Sequence, residues 1–193
     1  MSLTPHRKRA YFVRMRIALL LSLLLTVPAL AQTHDPCAMG TLPTGVQELL
    51  KSKYHGLRPK TLSDLAEDDQ KLWLASNPHS CPGVAVGAFE ERSHRGYAIL
   101  LVPKSGADGE YKLVVVTQHE ASAEYHVSLL THGSNTPNSG LVISRVPPGK
   151  QTGFDESKSV TLRRDGINLE WLEKGSVLYY YSSGRYRELQ TSD

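Results

Sequence analysis

The chain has 193 residues, with 22 Lys+Arg against 19 Asp+Glu for a formal charge of +3, two cysteines, 40% hydrophobic and 7% aromatic residues. This excludes a cysteine-dense miniprotein and a chain dominated by a disordered tail. The positive sign resides in residues 1–31, which carry Arg7, Lys8, Arg9, Arg14 and Arg16 and no acid; residues 32–193 hold 17 basic and 19 acidic side chains, a net of −2.

The first 31 residues read as a signal peptide. The apolar run Ile17 to Leu25 follows a basic region and leads to Ala29-Leu30-Ala31, with small residues where a signal peptidase reads them. The run is shorter than the roughly 17–25 residues that span a bilayer, so cleavage before Gln32 is expected, and membrane contact only through the leader. Met15 is an alternative start that leaves the mature product unchanged. Residues 32–193 are then a single domain, periplasmic or secreted, in an oxidising compartment where Cys37 and Cys81 are expected to form a disulfide. Cys37 follows His34-Asp35-Pro36, which is not a lipidation context.

Along the mature chain, Val46, Leu49 and Leu50 recur at helical spacing between Thr44 and Tyr54, and His55-Gly56 supplies a stop. A second helix is expected after Pro59. Thr61, Ser63 and Asp64 offer N-caps, acidic residues fill the first turn, Leu65, Leu72 and Trp73 form the buried face, and the helix ends before Asn77-Pro78.

Strand patterns follow Pro82: 83–90, 97–102, 111–119, 125–130, 141–146, 159–163, 167–171, 176–181 and 186–190. Turns are expected at 104–109, Asp165-Gly166 and Ser182-Ser183-Gly184, a long polar loop over 132–140, and a strand end at Pro147-Pro148-Gly149. Leu113-Val114-Val115-Val116 puts apolar side chains on both faces of one strand, which predicts a central strand covered on both sides. Two helices followed by about nine strands, with little chain left for crossovers, predict an α+β fold with a mainly antiparallel sheet, strongly curved or in two layers. A closed β-barrel is the alternative.

No catalytic constellation stands out. His119-Glu120 lacks the second histidine of a zinc helix, and His119, His126 and His132 lie on strands with no cysteine ligand nearby, so no metal and no cofactor are expected. Asp64, Asp68 and Asp69, with Glu67, could pair for acid–base work, but capping and solvation are their ordinary roles. No sustained basic stripe points to nucleic acid, since Arg163-Arg164 and Arg185/Arg187 are local pairs on hairpins. The feature that remains is the terminal hairpin, in which Tyr179, Tyr181, Ser183, Arg185, Tyr186 and Arg187 combine aromatic area with guanidinium donors suited to a protein partner. A cross-strand aromatic ladder is its structural counterpart.

The segment Thr61–Trp73 with Cys81-Pro82-Gly83-Val84-Ala85, together with the ending Tyr181–Asp193, resembles small exported bacterial proteins of unassigned function. That resemblance implies export and a compact domain. Ser183-Gly184-Arg185-Tyr186 is similar to the Ser-Gly loops that periplasmic lysozyme inhibitors insert into a lysozyme cleft, which would set Ser183, Arg185 and Tyr186 against the cleft's carboxylates. The sequence-level expectation is therefore a noncatalytic extracytoplasmic binding domain, with a lysozyme inhibitor using the 182–187 hairpin as one alternative. A small hydrolase with a dispersed site, using Asp64, Asp68 or His119, is the other.

Overall fold

Helix α1, Thr44–Lys53, is short and amphipathic; Val46 and Leu50 are buried, and Lys51 and Lys53 sit in the last turn, where the negative end of the helix dipole favours them. The computed structural model describes Cys37 and residues 41–90, 95–118 and 124–193. The leader and His119 lie outside the described residues.

After strand β1 (Leu57–Pro59) the expected helix start becomes a separate 3-10 turn, Leu62–Asp64. Asp64 closes this turn on itself, accepting the Thr61 N–H at 2.8 Å and the Thr61 hydroxyl at 2.9 Å. Its carboxylate also meets both terminal nitrogens of Arg58, at 2.5 and 2.6 Å. The backbone then extends through Leu65 and Ala66, and helix α2 spans Glu67–Ser76 with Glu67, Asp68 and Asp69 in its first turn. Leu65 and Trp73 are buried with Val142, whereas Leu72 is 42% exposed, so the buried face comprises two of its three expected members. The helix stops as foreseen ahead of Pro78, the Asn77 N–H reaching the Trp73 carbonyl at 2.8 Å.

Eleven strands occur among the described residues, two more than the sequence suggests: β2 Val84–Gly87, β3 Gly96–Pro103, β4 Gly109–Gln118, β5 Tyr125–Asn135, β6 Leu141–Val146, β7 Gly149–Thr152, β8 Ser159–Leu162, β9 Gly166–Trp171, β10 Gly175–Ser182 and β11 Arg185–Ser192. They form three separate antiparallel sheets rather than one curved sheet, and none of these closes into a barrel. In the five-stranded sheet β3, β4 and β5 are consecutive neighbours. The short strands β1 and β2 lie end to end along the other side of β3, opposite Leu101–Pro103 and Gly96–Ile99. Leu100 bridges the gap between them, receiving the Lys60 N–H and donating to the Gly83 carbonyl, each at 2.9 Å. The four-stranded sheet has the order β11-β10-β9-β6, and β7-β8 is a ribbon of its own.

Two cores explain why β4 is apolar on both faces. Leu113 and Val115 join Ala98, Leu100, Leu141, Ile143, Ile167 and Leu169 in a core shared by the two large sheets, while Val114 and Val116 pack under α1 with Val46 and Leu50. The expected central strand is therefore real, covered by a second sheet on one side and a helix on the other. The disulfide Cys37–Cys81 ties the chain ahead of α1 to the turn preceding β2, across a separation of 44 residues. In the loop-entropy account it stabilises the fold by about 4 kcal/mol.

The polar stretch 132–135, expected as loop, is strand. Its residues pair with Gly109–Lys112 along an outer edge where no apolar alternation is required. Only 136–140 connects onward to β6.

Candidate functional site

β10 and β11 meet in a two-residue turn whose central residues, Ser183 (φ 53°) and Gly184 (φ 80°), both adopt positive φ. That is the backbone which matches the right-handed twist of a hairpin. Pairing of Tyr179 with Glu188, Tyr180 with Arg187, Tyr181 with Tyr186 and Ser182 with Arg185 fixes the two faces.

On the inner face Tyr179 is buried in the shared core and Tyr186 packs against it. Burial pushes both phenols up, and the carboxylate of Glu90 raises Tyr186 further. Tyr181 meets Tyr186 edge to face, with ring centroids 5.2 Å apart. This inner face is the aromatic ladder. Two of the six residues singled out in the hairpin, Tyr179 and Tyr186, therefore spend most of their surface inside the protein.

By register, the opposite face carries Tyr180 and Ser182 on β10 with Arg187 and Arg185 on β11. Arg185 and Arg187 are exposed, as is Ser183 at the tip. A pocket of about 360 Å³ opens beside them, bounded by the end of β8, by Arg163 and Arg164, and by Tyr180–Ser183. The Arg164 guanidinium lies over the Tyr181 ring at 5.8 Å. Its Nε is buried and has no hydrogen-bond partner. No acidic side chain lines the pocket, and among the described residues no ion pair engages Arg164, Arg185 or Arg187.

Sequence reading treats Arg163-Arg164 and Arg185/Arg187 as separate local pairs. The fold brings Arg163 and Arg164 to a pocket shared with Tyr180–Ser183, and Ser182 in turn pairs with Arg185. Tyr180, Ser182, Arg163 and Arg164 are the members that sequence reasoning leaves out. The Arg163-Arg164-Asp165 bend ahead of β9 was the available signal.

A larger cleft of about 710 Å³ lies where β2 approaches β6 and is lined by His79, Arg95, Tyr97 and Arg145, among others. Its cations already have companions: Arg95 lies over Tyr97 at 6.0 Å, and Arg145 stands 3.6 Å from Asp165. A third polar cluster centres on Lys60, which is 1% exposed. Its Nζ donates to the Ser139 carbonyl at 2.7 Å and to Ser139 Oγ at 3.1 Å, while Ser139 Oγ donates to Asn135 Oδ1 at 2.9 Å. Burial lowers Lys60 to about 8 against the opposing pull of Asp64 and Asp69. Ser139 does not line the cavity of about 220 Å³ beside Lys60, and this arrangement ties the 136–140 loop to the end of β1.

The candidate acid–base residues do not converge. Burial is the largest single influence on Asp64 and acts upward, but Arg58 and Thr61 together hold it down at about 2. Asp68 is exposed and pairs with Lys71 at 3.2 Å. His132 hydrogen-bonds Glu110 at 2.6 Å, and among the described residues no group of three metal-binding side chains occurs. No family model, no curated protein and no solved structure matches this chain.

Proposed function

We propose that this protein is a noncatalytic extracytoplasmic binding domain, and that it engages a protein partner through the end of its C-terminal hairpin. The observation that carries the reading is the exposed tip at Ser183, with Arg185 and Arg187 exposed beside it and Arg164 lining the adjoining pocket. Three guanidinium groups with no ion pair among the described residues, Arg164, Arg185 and Arg187, at or beside one hairpin tip suit an anionic partner. The Tyr181–Tyr186 ladder holds the hairpin rigid beneath it, so little ordering entropy is lost on docking. The leader-like N-terminus and the Cys37–Cys81 bridge support the compartment, since such a bond persists under oxidising conditions.

The test is photo-crosslinking in the host cell with the full-length chain, carrying p-benzoylphenylalanine at Ser183 or, on α1 as a control, at Ser52. A discrete adduct from position 183 that is lost on adding Arg164→Gln and Arg185→Gln is expected. No adduct, or equal adducts from both positions, would contradict the proposal.

A lysozyme is the one partner with a specific observation in its favour, namely a projecting Ser183-Gly184 turn with Arg185 exposed beside it. Under this version the mature domain inhibits a lysozyme and Arg185→Ala weakens inhibition at least tenfold. Absence of binding to every lysozyme tried, or indifference to Arg185→Ala, removes the lysozyme version and leaves the crosslinking test to judge the broader reading.

A further inference from the structure

We infer that the pocket between Arg163, Arg164 and Tyr180–Ser183 is an oxyanion subsite that seats a carboxylate of the hairpin's partner; the inference rests on the binding role proposed for that hairpin. Three features carry it. First, a buried N–H without an acceptor is costly to leave unmet, and Arg164, whose Nε is such a donor, lines a pocket with room for a ligand. An apolar ligand would leave that donor unsatisfied, and a cation would be repelled by the Arg164 guanidinium.

Second, the Arg164 guanidinium lies over the Tyr181 ring, 5.8 Å from its centre, a cation–π placement that uses none of its N–H donors. The edge remains for hydrogen bonding, and an arginine edge matches the planar, two-oxygen shape of a carboxylate. Third, Ser182, Ser183 and Tyr180 line the same pocket, and each carries a hydroxyl able to donate to a ligand oxygen. Arg185 and Arg187 pair with the pocket-lining Ser182 and Tyr180 and add positive charge to the same hairpin.

The experiment follows the arginine Nε–Hε resonances of the oxidised mature domain during separate titrations with sodium acetate, sodium sulfate and, as the ionic-strength control, sodium chloride. The expected result is a saturable acetate-dependent shift of the Arg164 signal, with Arg163 following, that chloride does not reproduce. Arg164→Gln should weaken acetate binding, followed at Arg163 and at the Ser182 and Ser183 amides, at least tenfold. Tyr180→Phe, which keeps the packing, should weaken it two- to fivefold.

A shift that never saturates, or that spreads equally over the exposed arginines, overturns the subsite. Saturable sulfate binding that acetate cannot displace overturns the carboxylate assignment, because it would mark a site for a sulfate or phosphate ester. The crosslinking experiment separates the two levels. Loss of acetate binding in Arg164→Gln with undiminished crosslinking from position 183 would contradict the subsite while sparing the hairpin. Intact acetate binding without any adduct would do the reverse.

Discussion

Lys60 sits between Pro59 and Thr61, where sequence offers no sign that a lysine will be sealed from water. Its ammonium has uncharged contacts at Ser139, with Asp64 and Asp69 acting at longer range and Arg58 opposing them. The folded protein therefore releases this proton at about 8, whereas the unfolded chain holds it to 10.5. Below pH 8 both states are charged and the folded state bears the full burial penalty. Between 8 and 10.5 the unfolded state binds more protons, so this residue makes stability rise with pH. The full window corresponds to roughly 3 kcal/mol. The raised phenols Tyr179 and Tyr186 act in the opposite sense once unfolded tyrosine begins to ionise near 10. Urea unfolding between pH 7.5 and 9.5 isolates the lysine: the wild type should gain stability across this range and Lys60→Met should lose most of the gain. Exposed Lys150→Met should retain it. An unchanged slope in Lys60→Met would contradict the assignment. Gly83 is the neighbouring constraint, since a Cβ there would lie 2.1 Å from the Lys60 carbonyl oxygen.

At the scale of elements, what was legible followed from burial. The apolar run of β4 announces a strand covered on both sides because each face must find a core, and the hairpin is announced by Ser-Ser-Gly between alternating strands. β1 and β7 were hidden because three- and four-residue strands at an edge need no apolar period. The break between the 3-10 turn and α2 was hidden because it depends on Arg58 gripping Asp64. The hairpin turn also contains a removable strain: Ser183 holds a positive φ that asparagine tolerates better. Ser183→Asn should raise stability by about 0.5–1 kcal/mol, seen as a small increase in Tm, without altering the Tyr181–Tyr186 contact. A decrease would mean that the Ser183 hydroxyl supports the turn.

Across the whole molecule, the candidate site joins Arg163-Arg164 to a hairpin some twenty residues later, and only the placement of β8 and β9 beside β10 unites them. The sequence displayed every component but not the assembly, and its tyrosine-rich appearance gave equal weight to residues facing the core and residues facing solvent. The two hairpin phenols that are deepest serve packing; the arginines carry the proposed function. The central claim is that these arginines are held for a partner and not for the fold. Calorimetric Tm of the oxidised domain, at low and at moderate salt, tests it most directly when Arg164, Arg185 and Arg187 are all changed to glutamine. Relief of like-charge repulsion predicts an unchanged or higher Tm, with the gain larger at low salt. A fall of more than about 5 °C, equivalent to well over 1 kcal/mol for a domain of this size, would show the arginines to be structural and contradict the account.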